Sequence, residues 1–244
     1  MKRIPKKIHY CWFGKKKMPK SVLKCIESWR RQCPDYEIVR WDESNYDIES
    51  KCDFVREAYR REKWAFVSDY ARLEIIYCEG GVYLDTDVEL IAPLDTLLNM
   101  GNGFFGFESE EIVASGLGFA TKQGEIILKE MMNFYENLSF DEENMGKFTC
   151  PIINTEILAR HGLKKNNTLQ YVEGIVILPT EYLCPENMFT GKKEYTHQTV
   201  SIHHYDGSWM STRNAIRTRF IIGIKKMLPL FVVNKIRDIV RNIK

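Results

Sequence analysis

Acidic residues are almost missing from both ends of this 244-residue chain. Residues 1–26 hold nine Lys/Arg and no Asp or Glu, and residues 213–244 hold nine Lys/Arg against the single acid Asp238. The net charge of +2 therefore hides an acidic body, with 17 bases and 32 acids in residues 27–212. Basic ends on an acidic body point to an anionic partner at the ends, although solvated charge explains the N-terminal lysines equally well. The acidic middle argues against nucleic acid as that partner. The seven cysteines (11, 25, 33, 52, 78, 150, 184) are odd in number and scattered, and no CxxC pair occurs. That excludes a cysteine zinc site and a disulfide framework, and free thiols point to a reducing, cytoplasmic compartment. No apolar run reaches the ~18 residues a membrane-spanning helix needs. Met1–Lys7 is basic but no long apolar run follows it, so no secretory signal is expected. Repeats and low-complexity stretches are missing too. With 44% hydrophobic and 28% charged residues, the composition is that of a folded globular protein.

The pattern predicts strands at Lys7–Phe13, Glu37–Trp41, Gly81–Leu84, Val88–Ile91, Gly103–Glu108, Gly116–Thr121, Tyr171–Leu178 and Ser201–Tyr205. Helices are predicted from Pro19, within 47–61, over Glu62–Glu79, after Pro93, over Gly124–Asn137 and over Pro151–Leu163. Early strand–helix alternation implies an α/β fold with a partly parallel sheet, and the later elements read as mixed. After Trp209 the composition shifts to an apolar, lysine-studded tail broken by Pro229. The chain thus divides into a domain over 1–212 and a basic amphipathic helical tail over 213–244. The tail reads either as a segment held on an anionic membrane surface or as a helix packed on the domain.

Four clusters carry candidate chemistry. Gly80-Gly81-Val82-Tyr83-Leu84-Asp85-Thr86-Asp87 runs from a helix end through an apolar strand to two carboxylates at i and i+2. In a strand those side chains share a face. Crowded carboxylates repel, and a divalent cation relieves the repulsion; oxygen ligands favour Mg²⁺ or Mn²⁺ over zinc. Asp-Thr-Asp is also common turn chemistry, but the strand and double glycine before it favour the metal reading. Ser68, Asp69 and Arg72 lie on the preceding helix, with Asp69 and Arg72 at i, i+3. This is either a surface ion pair or, since the helix also buries Trp64, Val67, Ala71 and Ile75, a carboxylate–guanidinium pair at the core's edge suited to a sugar. Trp12 ends the first strand, where α/β sheets bind ligands; it reads equally as a base-stacking or a core residue. His203-His204-Tyr205-Asp206-Gly207-Ser208-Trp209 could complete a metal shell, although a histidine pair alone is more often core.

Together with Ile4–Gly14, these pieces resemble glycosyltransferase family 32, the DXD sugar-binding-region enzymes that include yeast mannosyltransferases and bacterial capsule enzymes. The glucosylating domains of large clostridial toxins are more distantly similar. The resemblance is strong over 4–98 and looser over 200–209. It implies a GT-A fold, a Rossmann-like mixed sheet with a central nucleotide-sugar site. It also implies Mn²⁺ or Mg²⁺, a nucleotide-sugar donor (UDP-hexose foremost) and retention at the anomeric carbon. By position, it implies that Trp12 stacks on the base, Ser68 and Tyr83 line the nucleoside pocket, and Asp69 and Arg72 hold the sugar. Asp85 would contact ribose, sugar or metal, Asp87 and His204 would ligate the metal, and Trp209 would close over the donor. Where relatives often carry Gly-Pro, this chain has Cys150-Pro151, and nothing in 100–200 transfers.

The expectation is a metal-dependent retaining hexosyltransferase acting on a saccharide or lipid-linked acceptor in surface polysaccharide synthesis. It would be cytoplasmic, with peripheral contact to the inner face of the plasma membrane through 213–244. Modification of a protein acceptor, and a non-catalytic nucleotide-sugar-binding protein, stand as alternatives. A nucleotidyltransferase would also need metal and base stacking, but usually carries a glycine-rich N-terminal loop that this chain lacks.

Overall fold

The computed structural model describes residues 3–141, 149–187 and 191–206. Among these, seven strands form one mixed sheet and two more form a small ribbon. The elements that position the site are β1 (Lys7–Cys11), α1 (Lys20–Gln32), β2 (Glu37–Trp41), α2 (Asp53–Arg60), α3 (Trp64–Glu79), β3 (Gly81–Tyr83) and β4 (Val88–Leu90). They are followed by α4 (Asp95–Leu98), β5 (Gly103–Gly106), β6 (Phe119–Thr121), α5 (Ile126–Glu136), α6 (Cys150–Arg160), β7 (Gln170–Val172), β8 (Ile175–Leu178), α7 (Thr180–Leu183) and β9 (Ser201–His203). The large sheet runs β2-β1-β3-β6-β5-β8-β7, and β4 pairs with β9. β1 lies parallel to β2 and β3, β5 parallel to β8, and β6 runs antiparallel to both its neighbours.

The inner strands β3, β5, β6 and β8 are buried along their whole length because both faces of the sheet are covered. Side chains alternate between two cores, as the period of a strand requires. Tyr83, Phe105, Phe119 and Ile177 join α2, α3, α5 and α6 on one face. Val82, Phe104, Ala120 and Val176 join α1 on the other. α1 is tied to the ribbon by its own side chains: Trp29 Nε1 donates to the Val88 carbonyl (2.8 Å), and Ser28 Oγ accepts from the Leu90 amide (2.9 Å).

The α3–β3 reversal takes one residue. Gly80 (φ 68°) caps α3, and Gly81 (φ 106°) starts β3. Positive φ favours glycine, and a Cβ on Gly81 would stand 2.9 Å from the Lys7 carbonyl oxygen. This tight reversal lays β3 against β1 and delivers Asp85 and Asp87 to its end.

Two predicted strands are corrected. Gly116–Thr121 is a 3-10 turn over Ser115–Leu117 followed by β6. Tyr171–Leu178 is a hairpin, because Glu173 (φ 48°) and Gly174 (φ 81°) turn the chain between β7 and β8. Helix α7 is a single turn that the sequence pattern does not predict. Among the described residues no helix is long and apolar enough to cross a membrane. The tail 213–244, the domain boundary at 212 and Trp209 lie outside the described residues.

Candidate functional site

Helix α3 is buried nearly all round, against the sheet on one side and α2 and α5 on the others. A polar side chain on such a helix must find a partner within the protein. Arg72, 3% exposed, finds several. Its Nη2 lies 3.0 Å from Asp69 Oδ1 and 3.2 Å from Asp85 Oδ1, and its Nε donates to the Ser68 carbonyl (3.1 Å). The guanidinium sits 5.0 Å over the Tyr83 ring. Among the described residues its Nη1 meets only the weak acceptor Cys150 Sγ, at 3.8 Å. Burial works against the Arg72 charge, but Asp85, Tyr83 and Asp69 outweigh it and hold the group firmly protonated.

The two carboxylates sharing this guanidinium are themselves raised. Burial pushes Asp69 up to about 6 against the pull of Arg72. Burial also raises Asp85; Arg72 opposes the rise and the Asp87 charge adds to it. The Tyr83 hydroxyl donates to Asp85 Oδ1 (3.1 Å). Tyr83 is only 1% exposed and meets Arg72 and Asp85 at the wall of the cavity.

Asp87 is held by the chain's late segment. Its Oδ2 accepts from the Asp206 amide (3.0 Å), and its carbonyl accepts from the His204 amide (2.9 Å). Its Oδ1 lies 3.3 Å from Nε2 of His203. Candidate ligand atoms of Asp85, Asp87 and His203 all fall within 4.8 Å of one another. The histidine in this group is His203, and the expected ligand His204 lies outside it. β9 pairs with β4, placing His203 opposite Val88, and successive strand residues face opposite ways. His204 therefore turns outward, where its Nε2 meets Glu89 Oε2 at 2.9 Å.

The donor set suits a divalent cation. His203 faces Asp87 through Nε2, and the ligand atoms of two acids and one imidazole crowd within 4.8 Å of one another. Two carboxylates and one imidazole could hold Mn²⁺ or Mg²⁺, with phosphate oxygens completing the shell.

These residues open onto a cavity of about 750 Å³ that also reaches Trp12, Ser68 and Cys150. Trp12 stands at the rim, half-buried, its Nε1 donating to the Lys16 carbonyl (2.6 Å). Its exposure leaves it available for stacking. Ser68 lines the cavity beside Asp69.

Sequence reasoning missed several wall residues. Glu108, just past β5, lines the cavity; burial raises its carboxyl, while His203 and a hydrogen bond from Tyr205 lower it. Gly116 fits so closely that an added Cβ would lie 2.7 Å from Asp85 Oδ2. Its turn is pinned from α6, where Asn154 Oδ1 accepts from the Ser115 amide (2.9 Å). Only Cys150-Pro151 carried a local signal; the rest depend on strand ends that meet only in the folded sheet.

A mixed sheet thus gathers a DXD pair, a histidine and a carboxylate–guanidinium pair around one cavity. Residues 19–102 match the family described as glycosyltransferase sugar-binding region containing DXD motif. Over 128 residues (42% of this chain) it is 30% identical to Subversion of eukaryotic traffic protein A of Legionella pneumophila, of which 20% is covered. Over 110 residues (41% of this chain) it is 32% identical to Inositol phosphoceramide mannosyltransferase 1 of Schizosaccharomyces pombe, of which 33% is covered. The chain thus spans a third or less of these relatives. Among solved structures, the PaToxG glycosyltransferase superposes with a TM-score of 0.51 at 19% identity, over 64% of this chain and 69% of that one. The likeness concerns the fold, and the GT-A expectation is met.

Proposed function

We propose that this chain is a metal-dependent glycosyltransferase that moves a hexose from a nucleotide sugar, UDP-linked in the first instance, to a saccharide or lipid-linked saccharide, with retention at the anomeric carbon. The observation that carries this reading is the convergence of Asp85, Asp87 and His203 at a cavity whose wall is the Asp69–Arg72 pair. Asp85, Asp87 and His203 would hold a divalent cation, which would supply positive charge for a departing diphosphate. The chain's own groups bind and orient. Asp69 accepts from donor-sugar hydroxyls. Arg72 offers Nη1, whose present contact is a thiol, to a hydroxyl or phosphate oxygen. Because Arg72 is locked by two carboxylates and a carbonyl, it meets the donor with little reorganisation, which is where a preorganised site gains most. Trp12 supplies a flat face at the rim for the base.

One of the relatives is named a mannosyltransferase, so GDP-mannose joins UDP-hexoses as a candidate donor. The test is a panel of nucleotide sugars scored by thermal stabilisation and donor hydrolysis, with and without Mn²⁺. One donor should stabilise the protein and be hydrolysed only with metal. Asp87→Asn should abolish both effects while the apo protein melts as wild type. Full turnover in Asp87→Asn, or no response to any donor, would overturn the reading.

A further inference from the structure

We infer that the unpaired lysine strip Lys15, Lys16, Lys17, Lys20 and Lys24 docks the rim of this cavity onto an anionic lipid bilayer. The strip is built from the loop after β1 and the first two turns of α1. A helix that follows a strand begins at that strand's carboxyl edge, so the lysines gather at the cavity edge of the sheet. Lys16 and Trp12 line both the 750 Å³ cavity and a smaller hollow of about 400 Å³.

Three features separate this strip from ordinary solvated charge. First, five lysines fall within eleven residues, 14–24, that contain no acid, on a chain whose 27–212 body is acidic. Among the described residues none of these five ammonium groups has an ion-pair partner, whereas Lys6, Lys7 and Lys51 are each paired. Second, Lys20 opens α1, where the helix dipole disfavours positive charge, and Lys24 follows in the second turn. The first turn holds no acid, and no side chain caps it. The placement thus works against helix stability. Third, Leu23 stands 50% exposed between Lys20 and Lys24, and Met18 is half-buried beside Lys17.

The arrangement fits a bilayer better than a small anion. The charges are spread along a loop and a helix rather than converging on one point, and every one is a lysine, a point charge on a flexible stem. Such residues each add to attraction by an anionic membrane surface, and an exposed leucine among them can enter the headgroup layer. Docked this way, the cavity rim lies at the headgroup plane. If the proposed transfer activity holds, its acceptor is then membrane-borne, whereas the docking itself does not depend on that reading.

The test uses the full chain and the triple variant Lys17→Glu, Lys20→Glu, Lys24→Glu, which spares the cavity-lining Lys16. Both are sedimented with vesicles of phosphatidylcholine alone and of phosphatidylcholine with phosphatidylserine. The tail 213–244 is present in both proteins, so its contribution cancels. Wild type should bind the phosphatidylserine vesicles selectively and lose binding as salt rises. The variant should bind at least about 100-fold more weakly, given the attraction each lysine supplies near such a surface. Circular dichroism and donor hydrolysis without vesicles should match wild type. Equal vesicle binding by the two proteins overturns the proposal. So does a variant that loses binding to double-stranded DNA, or affinity for the donor, while vesicle binding persists. Absence of donor hydrolysis in wild type would sink the transferase reading and leave the docking result standing.

Discussion

Gly116→Ala offers a sharp probe of the site, because it adds one methyl group to the wall and removes no functional group. The new Cβ would lie 2.7 Å from Asp85 Oδ2 and 3.2 Å from Arg72 Nη1. Ordinary carbon–oxygen contact requires Asp85 to retreat by roughly 0.5 Å or more. The turn itself cannot yield easily, since Asn154 holds Ser115 and the neighbouring Val113 amide is bound to Thr155 Oγ1 at 2.9 Å. The strain of overpacking should cost about 1–3 kcal/mol. A displaced ligand carboxylate and guanidinium should lower donor turnover by about 10–100-fold, as sub-ångström to 1 Å errors in positioned groups do. Gly106→Ala is the control. Its Cβ would stand 2.8 Å from a Leu183 methyl, not from a site residue, so it overpacks the core without touching the acids. Urea unfolding and Mn²⁺-dependent donor hydrolysis are measured on both. Stability should fall in each variant and turnover only in Gly116→Ala. Turnover within about twofold of wild type in Gly116→Ala would refute the tight coupling of this turn to Asp85.

Two further predictions follow from the late strand and from β1. His203→Ala should raise the Mn²⁺ concentration for half-maximal hydrolysis by at least about tenfold. His204→Ala, which removes only an exposed contact with Glu89, should leave it within about twofold; the reverse ranking would return the ligand role to His204. His9 is 1% exposed and neutral: Trp41 Nε1 donates to its Nδ1 (3.0 Å), and its Nε2 faces the Gly80 carbonyl (3.1 Å). Burial pushes its pKa down from 6.5 to about 4, with Gly80 and Glu37 opposing and Lys7 assisting. The unfolded chain thus takes up a proton that the native state refuses. Stability from this group is present above pH 6.5 and is lost as pH falls toward 4, by about 3 kcal/mol. Urea unfolding at pH 7.5 and pH 4 should show a fall that much larger in wild type than in His9→Gln, and equal falls would refute the assignment.

The sequence by itself determined those parts of this protein whose physics is local. Helical spacing from Trp64 to Cys78 and the glycine pair after it give α3, its end and the start of β3, because capping and periodicity act within a few residues. The i, i+3 spacing brings Asp69 to Arg72 in any fold that keeps the helix, whereas Asp85 and Asp87 lie in the turn between β3 and β4, where the Val88 amide donates to the Asp85 carbonyl (3.0 Å). Short-range turn chemistry was harder to see. The Glu173-Gly174 turn lies inside an apolar stretch, so a hairpin reads as one strand. Only the tertiary structure decided what spans the chain. It places Arg72 between two acids from different elements, and sets Gly116, Glu108 and Cys150 into the wall. The histidine shows the reason most plainly. His203 and His204 are equivalent as letters, and only the register of β9 on β4, fixed by hydrogen bonds to a segment more than a hundred residues away, turns one toward the carboxylates and the other toward solvent.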